Sequence, residues 1–253
     1  MKTLTKKITT ALGDVFVRFQ KRPAGGKPAV VFLHGWGSDS RVWQPVTQAL
    51  SYSSLLIDLP GFGNSPVPQQ SWSVSDYQKV VEGLVEKTKF KNVVLVGHSF
   101  GGQVATAIAA KNPGWLSGLV LVSSASLRDK EPPFLNRLGS ALSPLFSLPG
   151  LRLLKPVIYK LIGADEPPAD PVMRQTMRNI LREDQREKLP DITCPTQLIW
   201  GADDQATPLS NGEMMAKEIP DATLTVLSGG HFIFLDQPTA FFDTLNTFIN
   251  RLS

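Results

Sequence analysis

The sequence predicts an α/β protein whose mostly parallel sheet is covered by helices on both faces. Short apolar runs recur along the 253-residue chain and alternate with segments of helical periodicity, with short turns between them. Near-continuous apolar runs are typical of parallel strands that are buried on both faces. The runs that predict such strands are Ala29 to Leu33, Leu55 to Ile57, Val93 to Val96, Leu119 to Ser123, Gln197 to Trp200 and Thr223 to Leu227.

An antiparallel hairpin is predicted at the edge of this sheet, which brings the number of strands to eight. Ile8 to Thr10 and Val15 to Phe19 are strand-like runs separated by the turn Leu12-Gly13-Asp14. Among the helices, Ser73 with Asp76 three residues later is typical of a capping box and predicts a helix start. The other predicted helices of the core are Arg41 to Leu50, Gln103 to Lys111, Ser210 to Glu218 and Thr239 to Arg251.

The alternation of strands and helices stops between residues 127 and 190, in a stretch rich in Leu, Pro and Arg. We therefore expect residues 127–190 to form a helical cap inserted between the sixth and seventh strands, with residues 1–126 and 191–253 forming the core. Asp170-Pro171 supplies an N-cap and a first-turn proline for the last cap helix. The predicted cap helices are Leu135 to Leu142, Leu151 to Leu161 and Val172 to Leu181.

A basic stripe runs along the last cap helix and the residues that follow it. It consists of four arginines at intervals of four residues, Arg174, Arg178, Arg182 and Arg186. One interpretation is a solvated helix face, with Met173, Met177 and Leu181 turned inward. The other is a docking surface for an acidic partner, such as an acidic carrier protein, or for the carboxylate of a substrate.

Composition describes an ordinary globular domain and excludes several classes of protein. The net charge is +4, and no basic tract with interleaved aromatic residues predicts binding to nucleic acid. No apolar run has the length of a transmembrane helix, and Met1 to Lys7 lacks the apolar core of a signal peptide. We therefore expect a cytoplasmic protein with no membrane partner. Cys194 is the only cysteine, which excludes an internal disulfide and a multi-cysteine metal site, and we expect a buried, inert thiol.

The pattern G-x-S-x-G occurs between a buried strand and a helix, in Gly97-His98-Ser99-Phe100-Gly101. In that context the pattern indicates a nucleophile elbow, a sharp turn that holds its serine in a strained backbone conformation. Glycine is needed on either side because larger residues would collide with the neighbouring strand and helix. Ser99 is therefore the candidate nucleophile.

A serine hydroxyl needs an adjacent base to act as a nucleophile at neutral pH. Of the three histidines, His98 is directed away from the serine by the turn, and His34 is expected to stabilise its own loop. His231 follows the last strand in a Gly-Gly-His turn, which can place its imidazole above the sheet edge, so it is the candidate base. A carboxylate must fix the tautomer of that base. Asp203 and Asp204 both follow the seventh strand, and physical reasoning alone does not separate them.

Five motifs follow predicted strand ends, where parallel sheets bind their ligands. They are Leu33-His34-Gly35-Trp36-Gly37, Asp58-Leu59-Pro60-Gly61-Phe62-Gly63-Asn64-Ser65, the elbow, Trp200-Gly201-Ala202-Asp203-Asp204 and Gly230-His231. Along the chain, the candidate nucleophile, acid and base occur in the order serine, aspartate, histidine. Together with this order, the motifs resemble the α/β-hydrolase superfamily over essentially the whole chain apart from the cap. The resemblance implies the α/β-hydrolase fold. Members carry the acid three residues after the glycine of a W-G-x-x-D motif, which implies Asp204.

The same resemblance implies an oxyanion hole and an acyl-transfer reaction. The backbone N–H of Phe100 lies at a helix N-terminus, where donors are free, and the N–H of Trp36 would be the second donor. We expect Ser99 to attack an ester carbonyl while His231 takes its proton, through an acyl-enzyme intermediate. No metal and no organic cofactor is expected.

Two of the motifs, His34-Gly35-Trp36-Gly37 and the segment 58–63, are similar to the esterases that cleave a pimeloyl-carrier-protein methyl ester. Those enzymes have Trp and Leu beside the nucleophile, where this chain has His98 and Phe100. The expected substrate is a small to medium apolar ester. The apolar residues expected around it are Leu135, Leu138, Leu142, Phe146, Leu148, Leu151 and Leu154 of the cap, with Trp36, Phe62 and Phe100 near the floor.

Two other functions stay open, because the fold alone does not fix the reaction. A carbon–carbon hydrolase acting on vinylogous diketones uses the same triad and prefers an anionic substrate, so an arginine buried under the cap would favour it. A triad-bearing binding protein would capture a ligand with only incidental turnover. Haloalkane dehalogenases and epoxide hydrolases are disfavoured, because their pattern has an aspartate where this chain has Ser99.

Overall fold

Eight strands in the described part of the chain form one mostly parallel sheet, as the sequence predicts. A computed structural model of the protein describes residues 3–10, 12–20, 28–128 and 168–252. The strands are β1 (Thr3–Thr10), β2 (Gly13–Gln20), β3 (Ala29–Leu33), β4 (Ser54–Asp58), β5 (Val93–His98), β6 (Leu116–Val122), β7 (Thr196–Gly201) and β8 (Ala222–Leu227). They pair in the order β1-β2-β4-β3-β5-β6-β7-β8. β1 and β2 form the predicted antiparallel edge hairpin, and the six strands β3 to β8 run parallel to one another.

Helices connect the parallel strands and begin close to the predicted residues. They are α1 (Gln44–Ala49), α2 (Val74–Thr88), α3 (Phe100–Ala109), α4 (Pro171–Arg182), α5 (Leu209–Glu218), α6 (Ile233–Asp236) and α7 (Pro238–Arg251), with 3₁₀ turns at Ser40–Trp43 and Arg186–Asp191. The predicted capping box is present, since the backbone N–H of Ser73 donates to Asp76 at 2.9 Å. α6 and the second 3₁₀ turn were not predicted, because both are too short to show a helical period.

Apolar side chains of each central strand alternate between two core layers, one on each face of the sheet. Val31 and Leu33 belong to the layer that includes residues of α2, α3 and α5. Val30 and Phe32 belong to the other, which includes residues of α1, α6 and α7. Burial on both faces explains why these strands read as continuous apolar runs in the sequence.

The predicted cap lies largely outside the described residues. The helices predicted at Leu135 to Leu142 and Leu151 to Leu161 fall there, as do the seven apolar cap residues from Leu135 to Leu154. The limits of the cap, 127–190, stay a prediction. The third cap helix is α4, whose Asp170 accepts hydrogen bonds from the N–H groups of Val172 and Met173 and so forms the predicted N-cap.

Of the three residues predicted to turn inward on α4, Met173 is buried, Met177 is half-buried and Leu181 is exposed, so the prediction is wrong for Leu181. The buried residues of α4 are Met173, Thr176 and Ile180, whereas Leu181 is 54% exposed. The reason is that the hydroxyl of Thr176 accepts a hydrogen bond from the N–H of Trp72 at 3.0 Å, so a polar residue lies on the buried face. The stripe residues on α4, Arg174, Arg178 and Arg182, are exposed, as expected for a solvated face, although Leu181 is not on the buried face.

Two further observations concern expectations from composition. Cys194 lies half-buried before β7, and burial raises the pKa of its thiol to about 11. The thiol therefore stays protonated at neutral pH, which supports the expected inertness, although Cys194 is half-buried where burial is expected. Of the helices in the described ranges, none combines the length and the apolar character that crossing a membrane requires.

Candidate active site

Ser99 lies in a sharp turn between β5 and α3, and its backbone has a positive φ (φ 51°, ψ −116°). A Cβ on Gly97 would lie 2.4 Å from the carbonyl oxygen of Gly101, so only glycine fits there. The N–H of Ser99 donates to the carbonyl of Val122, and its own carbonyl accepts from the N–H of Ala125, both at 3.0 Å. These bonds to the end of β6 hold the strained conformation that a nucleophile elbow needs.

His231 and Asp204 are joined through Nδ1 of the imidazole, which lies 2.9 Å from Oδ2 and 3.1 Å from Oδ1 of the carboxylate. An ionised carboxylate only accepts hydrogen bonds, so Nδ1 carries the proton and Nε2 is left as an acceptor. That is the tautomer required of a base that acts on a serine hydroxyl. Asp203 is exposed instead, and its N–H donates to the carbonyl of Gly229. The structure therefore brings Asp204, not Asp203, to the imidazole.

Further donors hold the carboxylate of Asp204 from its own loop. The N–H groups of Ala206 and Thr207 each donate to Oδ1 at 2.9 Å, and the hydroxyl of Thr207 donates to Oδ2 at 2.8 Å. Burial raises the pKa of Asp204, but hydrogen bonds from His231 and Thr207 outweigh it and lower the pKa to about 2. The carboxylate is therefore ionised at neutral pH. No motif in the sequence marks Thr207 for this position.

The loop after β3 lies directly against the elbow. A Cβ on Gly35 would lie 3.1 Å from Cβ of Ser99, and the ring centroids of Trp36 and Phe100 are 5.5 Å apart. Phe100 is the first residue of α3, so its N–H has no acceptor within the helix. The two residues predicted to supply the oxyanion donors thus lie next to each other and beside Ser99.

His34 fastens this loop to the loop after β4, as the sequence predicts. Its Nε2 accepts from the N–H of Leu59 at 3.0 Å, so Nδ1 carries the proton and donates to the carbonyl of Gly35 at 2.8 Å. Burial lowers the pKa of His34, which keeps the ring neutral. Asp58 adds a second tie, because its Oδ1 accepts from the N–H of Ser40 at 2.9 Å.

The side chain of His98 packs against the candidate base. Its ring centroid lies 4.7 Å from that of His231. Its Nε2 lies 2.9 Å from the carbonyl oxygen of His231. His98 is therefore a neighbour of the base and does not replace it.

An open cleft of about 380 Å³ lies beside Trp36 and is lined mainly by apolar groups. Trp36 and Phe62 form one wall, with ring centroids 4.8 Å apart, and Val67 and Met173 contribute to the rest. Phe100, which was predicted near the floor, packs against Trp36 and does not line the cleft. The thioether of Met173 lies against Gly61, where a Cβ would be 2.4 Å from the sulfur. The cleft thus begins at the residue predicted to donate to the oxyanion.

Arg128, which follows the loop after β6, is an arginine that the sequence analysis did not single out. Its five N–H donors all have protein acceptors. These are the carbonyl oxygens of Ala125, Leu127, Ile180 and Leu181 and the amide oxygen of Gln103. The guanidinium therefore clamps the end of α4 to the core, and no motif in the sequence indicates this role.

The four arginines of the basic stripe do not share one environment. Arg174 donates to the carbonyls of Pro168 and Ala169 at the start of α4. Arg186 is half-buried and lies 3.7 Å from the carboxylate of Asp184. Arg178 and Arg182 are exposed on α4. Arg174 is exposed as well, so the exposed basic surface of α4 comprises all three of these arginines, of which Arg178 and Arg182 have no hydrogen-bond or ion-pair partner for their side chains among the described residues.

The chain is similar to known esterases and hydrolases. The chain is 29% identical over 239 residues to a pimeloyl-[acyl-carrier protein] methyl ester esterase from Legionella pneumophila, covering 88% of this chain and 95% of that protein. It is 28% identical over 264 residues to a 2-hydroxy-6-oxononadienedioate/2-hydroxy-6-oxononatrienedioate hydrolase from Cupriavidus pinatubonensis, covering 92% and 91%. An esterase structure from Exiguobacterium antarcticum superposes with a TM-score of 0.81 at 23% identity, over 98% of this chain and all of that one, which shows a common fold.

A family model decides the relationship. Residues 30–244 match the model described as the alpha/beta hydrolase family. The match begins in β3 and ends in α7, so it includes the elbow, the loop after β7 and the loop after β8. The chain belongs to the alpha/beta hydrolase family.

Proposed function

We propose that this protein is a serine hydrolase that cleaves carboxylic esters with Ser99, His231 and Asp204. The observation that carries the proposal is the 2.9 Å hydrogen bond from His231 to Asp204, which leaves Nε2 of the imidazole as an acceptor, together with the strained backbone turn at Ser99. The names of the esterase relatives from Legionella pneumophila and of the esterase structure from Exiguobacterium antarcticum support the same class of reaction.

The proposed reaction assigns a role to each of these donors and acceptors. Oγ of Ser99 attacks the ester carbonyl carbon and passes its proton to Nε2 of His231, and the N–H groups of Trp36 and Phe100 stabilise the oxyanion, each worth about 3 kcal/mol in protease examples. The carbon–oxygen bond to the alcohol breaks, and the alcohol leaves with the proton from Nε2. Water then attacks the acyl-enzyme, gives a proton to Nε2, and the acid leaves as Ser99 regains its proton.

The cleft supports a medium-sized apolar group on one side of the ester. Its volume of about 380 Å³ is at the lower end of the range for small-molecule sites, and the rings of Trp36 and Phe62 and the thioether of Met173 form its walls. Because Trp36 is also the proposed oxyanion donor, a carbonyl held there would direct one substituent into the cleft. An uncharged acyl or alcohol chain fits this lining better than a charged one.

A carbon–carbon hydrolase is the second candidate, supported by the relative from Cupriavidus pinatubonensis. An arginine free to bind a substrate carboxylate would favour it. Among the described residues, Arg128 is half-buried at the end of α4, but its five donors already bind protein oxygens. A carboxylate bound there would displace several of these bonds, so ester hydrolysis is the better supported reaction.

A carrier-linked ester is one form that the substrate could take. Arg178 and Arg182 lie exposed on α4, whose first turn carries the cleft residue Met173, so an acidic carrier protein docked there would hold its acyl group near the cleft. Replacing both arginines by Glu would then raise KM for a carrier-linked ester and leave KM for the free ester unchanged.

The first test is hydrolysis of p-nitrophenyl esters from acetate to decanoate by the wild type and by Ser99→Ala. We expect rapid turnover with a maximum at one intermediate chain length, and a fall in kcat of about 1,000-fold or more in the variant. Ser117→Ala is the matched control, because its hydroxyl bonds to the carbonyl of Val93 at the other end of the sheet. Turnover that survives in Ser99→Ala contradicts the proposal. Slow single turnover in the wild type would favour a ligand-binding protein.

A further inference from the structure

The ring of His98 lies between two loops of the candidate site and contacts both. On one side its Nε2–H donates to the backbone carbonyl of His231 at 2.9 Å. On the other side its Nδ1 faces the backbone of Gly35, where a Cβ would lie only 2.9 Å from that nitrogen. Within the described residues this buried Nδ1 has no hydrogen-bond partner. His98 therefore separates the loop of the base from the loop of the oxyanion donors.

Aromatic rings hold the imidazole of His98 in this orientation. The ring centroids of Phe232, Phe234 and Trp43 lie 5.0, 5.1 and 6.4 Å from its own. The side chain is almost fully buried, with 1% of its surface exposed. Burial, together with the neighbouring His231, lowers the pKa of His98 to about 3. The ring is therefore neutral at neutral pH, with one nitrogen that donates and one that cannot.

We propose that His98 is a positioning residue, which sets the distance of His231 from Ser99 through the hydrogen bond to the backbone of His231. His98 precedes the nucleophile directly in the chain, so this bond links the elbow to the base without passing through the rest of the fold. Because His98 also contacts Gly35, the same imidazole positions the loop that carries the proposed oxyanion donor Trp36. The inference rests on the proposed function, since it assigns a role within the same triad.

Three substitutions separate the hydrogen bond from the bulk of the ring. His98→Gln places an amide N–H at about the reach of Nε2, so it retains the bond to the carbonyl of His231. His98→Asn carries the same amide group but reaches only to about the position of Nδ1. His98→Leu keeps an apolar volume and has no donor. Gln197→Leu is the control for losing a buried amide, because Gln197 bonds to Leu198, Thr223 and Thr225 and touches neither loop.

Hydrolysis of p-nitrophenyl butyrate and the rate of labelling by a fluorophosphonate are measured for each variant. We expect kcat to fall about 10- to 100-fold in His98→Asn and His98→Leu, with KM within about twofold, because the base is displaced from the serine. His98→Gln should recover most of kcat, and Gln197→Leu should lower the melting temperature without changing kcat. The labelling rate should follow kcat across the series.

Two results would overturn the inference. If His98→Asn and His98→Leu keep the kcat of the wild type, the bond does not position the base. If His98→Gln falls as far as His98→Leu, the ring and not its N–H is what matters. A different result addresses the proposed function: if the phosphonate does not label Ser99 in the wild type, the serine is not a nucleophile and both proposals fail.

Discussion

A Cβ on Gly101 would lie 2.6 Å from the carbonyl oxygen of His34. The start of α3 and the loop after β3 are thus in backbone contact, and the distance between Phe100 and Trp36 depends on that contact. We expect Gly101→Ala to lower the free energy of unfolding by about 1–3 kcal/mol, the usual cost of overpacking. We also expect kcat/KM for esters to fall about 100-fold, because the two oxyanion donors move apart.

Urea unfolding and ester hydrolysis check this prediction, with Gly83→Ala as the control. Gly83 lies within α2, and a Cβ there would meet no atom within 4 Å. Alanine is about 0.5–1 kcal/mol better than glycine inside a helix, so this variant should be more stable and fully active. Equal stability and activity in the two variants would mean that the contact at Gly101 relaxes without cost.

The hydroxyl of Thr207 lies between two acceptors, the carboxylate of Asp204 and a carbonyl at the end of β6, and its single proton is best placed for the nearer carboxylate. Its Oγ1 lies 2.8 Å from Oδ2 of Asp204 and 3.1 Å from the carbonyl oxygen of Ser123. Removing one donor to a charged group costs about 1.5–3 kcal/mol, so we expect Thr207→Val to lower kcat at least about tenfold with little change in KM. Thr207→Ser keeps the hydroxyl and should retain most of the activity. Steady-state kinetics on one ester measure kcat for the wild type and the two variants. Equal kcat in all three would show that the hydroxyl of Thr207 does not support Asp204 in catalysis.

The parts of the site that the sequence predicted depend on local signals. Gly97 and Gly101 flank the serine because backbone approaches of 2.4 and 2.5 Å forbid a side chain at these positions. Buried strands show as apolar runs, and the order of the strands places their carboxyl ends at one edge. Since each signal lies within a few residues, Ser99 and His231 could be proposed without a structure.

The parts that escaped prediction depend on contacts between distant segments. Thr176 lies on the buried face of α4 because the N–H of Trp72, 104 residues earlier, donates to its hydroxyl. The prediction considered only apolar residues at helical spacing, so it left out Thr176. It therefore placed Leu181, and not Ile180, on the buried face. Arg128 escaped for a similar reason, since Ile180 and Leu181, at the end of α4, supply acceptors to it.

The pKa of Asp204 makes part of the stability depend on pH. Hydrogen bonds lower it from 3.8 to about 2 in the folded protein, in spite of burial, which raises it. Because the folded pKa is the lower one, the stabilisation is present above pH 4 and is lost as the pH falls through 2. We expect about 2 kcal/mol of the free energy of unfolding to disappear in this range.

Urea unfolding between about pH 5 and about pH 2 measures this loss in the wild type, Asp204→Asn and Asp203→Asn. Asp204→Asn has no carboxyl to protonate at this position. Its free energy of unfolding should therefore fall by about 2 kcal/mol less than that of the wild type over this pH range. Asp203 is exposed, and its variant should follow the wild type. If the free energy of unfolding of Asp204→Asn falls with pH as steeply as that of the wild type, the carboxyl of Asp204 does not cause the loss of stability.

Met173 sets the depth of the cleft, because its buried thioether fills the space against Gly61. Met173→Ala removes three side-chain heavy atoms, and each substrate methylene buried in their place is worth about 0.8 kcal/mol. We therefore expect kcat/KM across the p-nitrophenyl esters to peak at a chain about two to three carbons longer than in the wild type. The variant should also lose about 2–5 kcal/mol of unfolding free energy, so the assays belong well below its melting temperature.

Met177→Ala is the matched control for this prediction, since Met177 lies one turn later on α4, is half-buried and does not line the cleft. Its chain-length profile should superimpose on that of the wild type after scaling for the folded fraction. An unchanged maximum in Met173→Ala would mean that the acyl chain of the substrate does not enter this cleft. The acyl chain would then be bound elsewhere, and the cleft beside Trp36 would receive the alcohol group. A series of alkyl butyrates of increasing alcohol length would detect this.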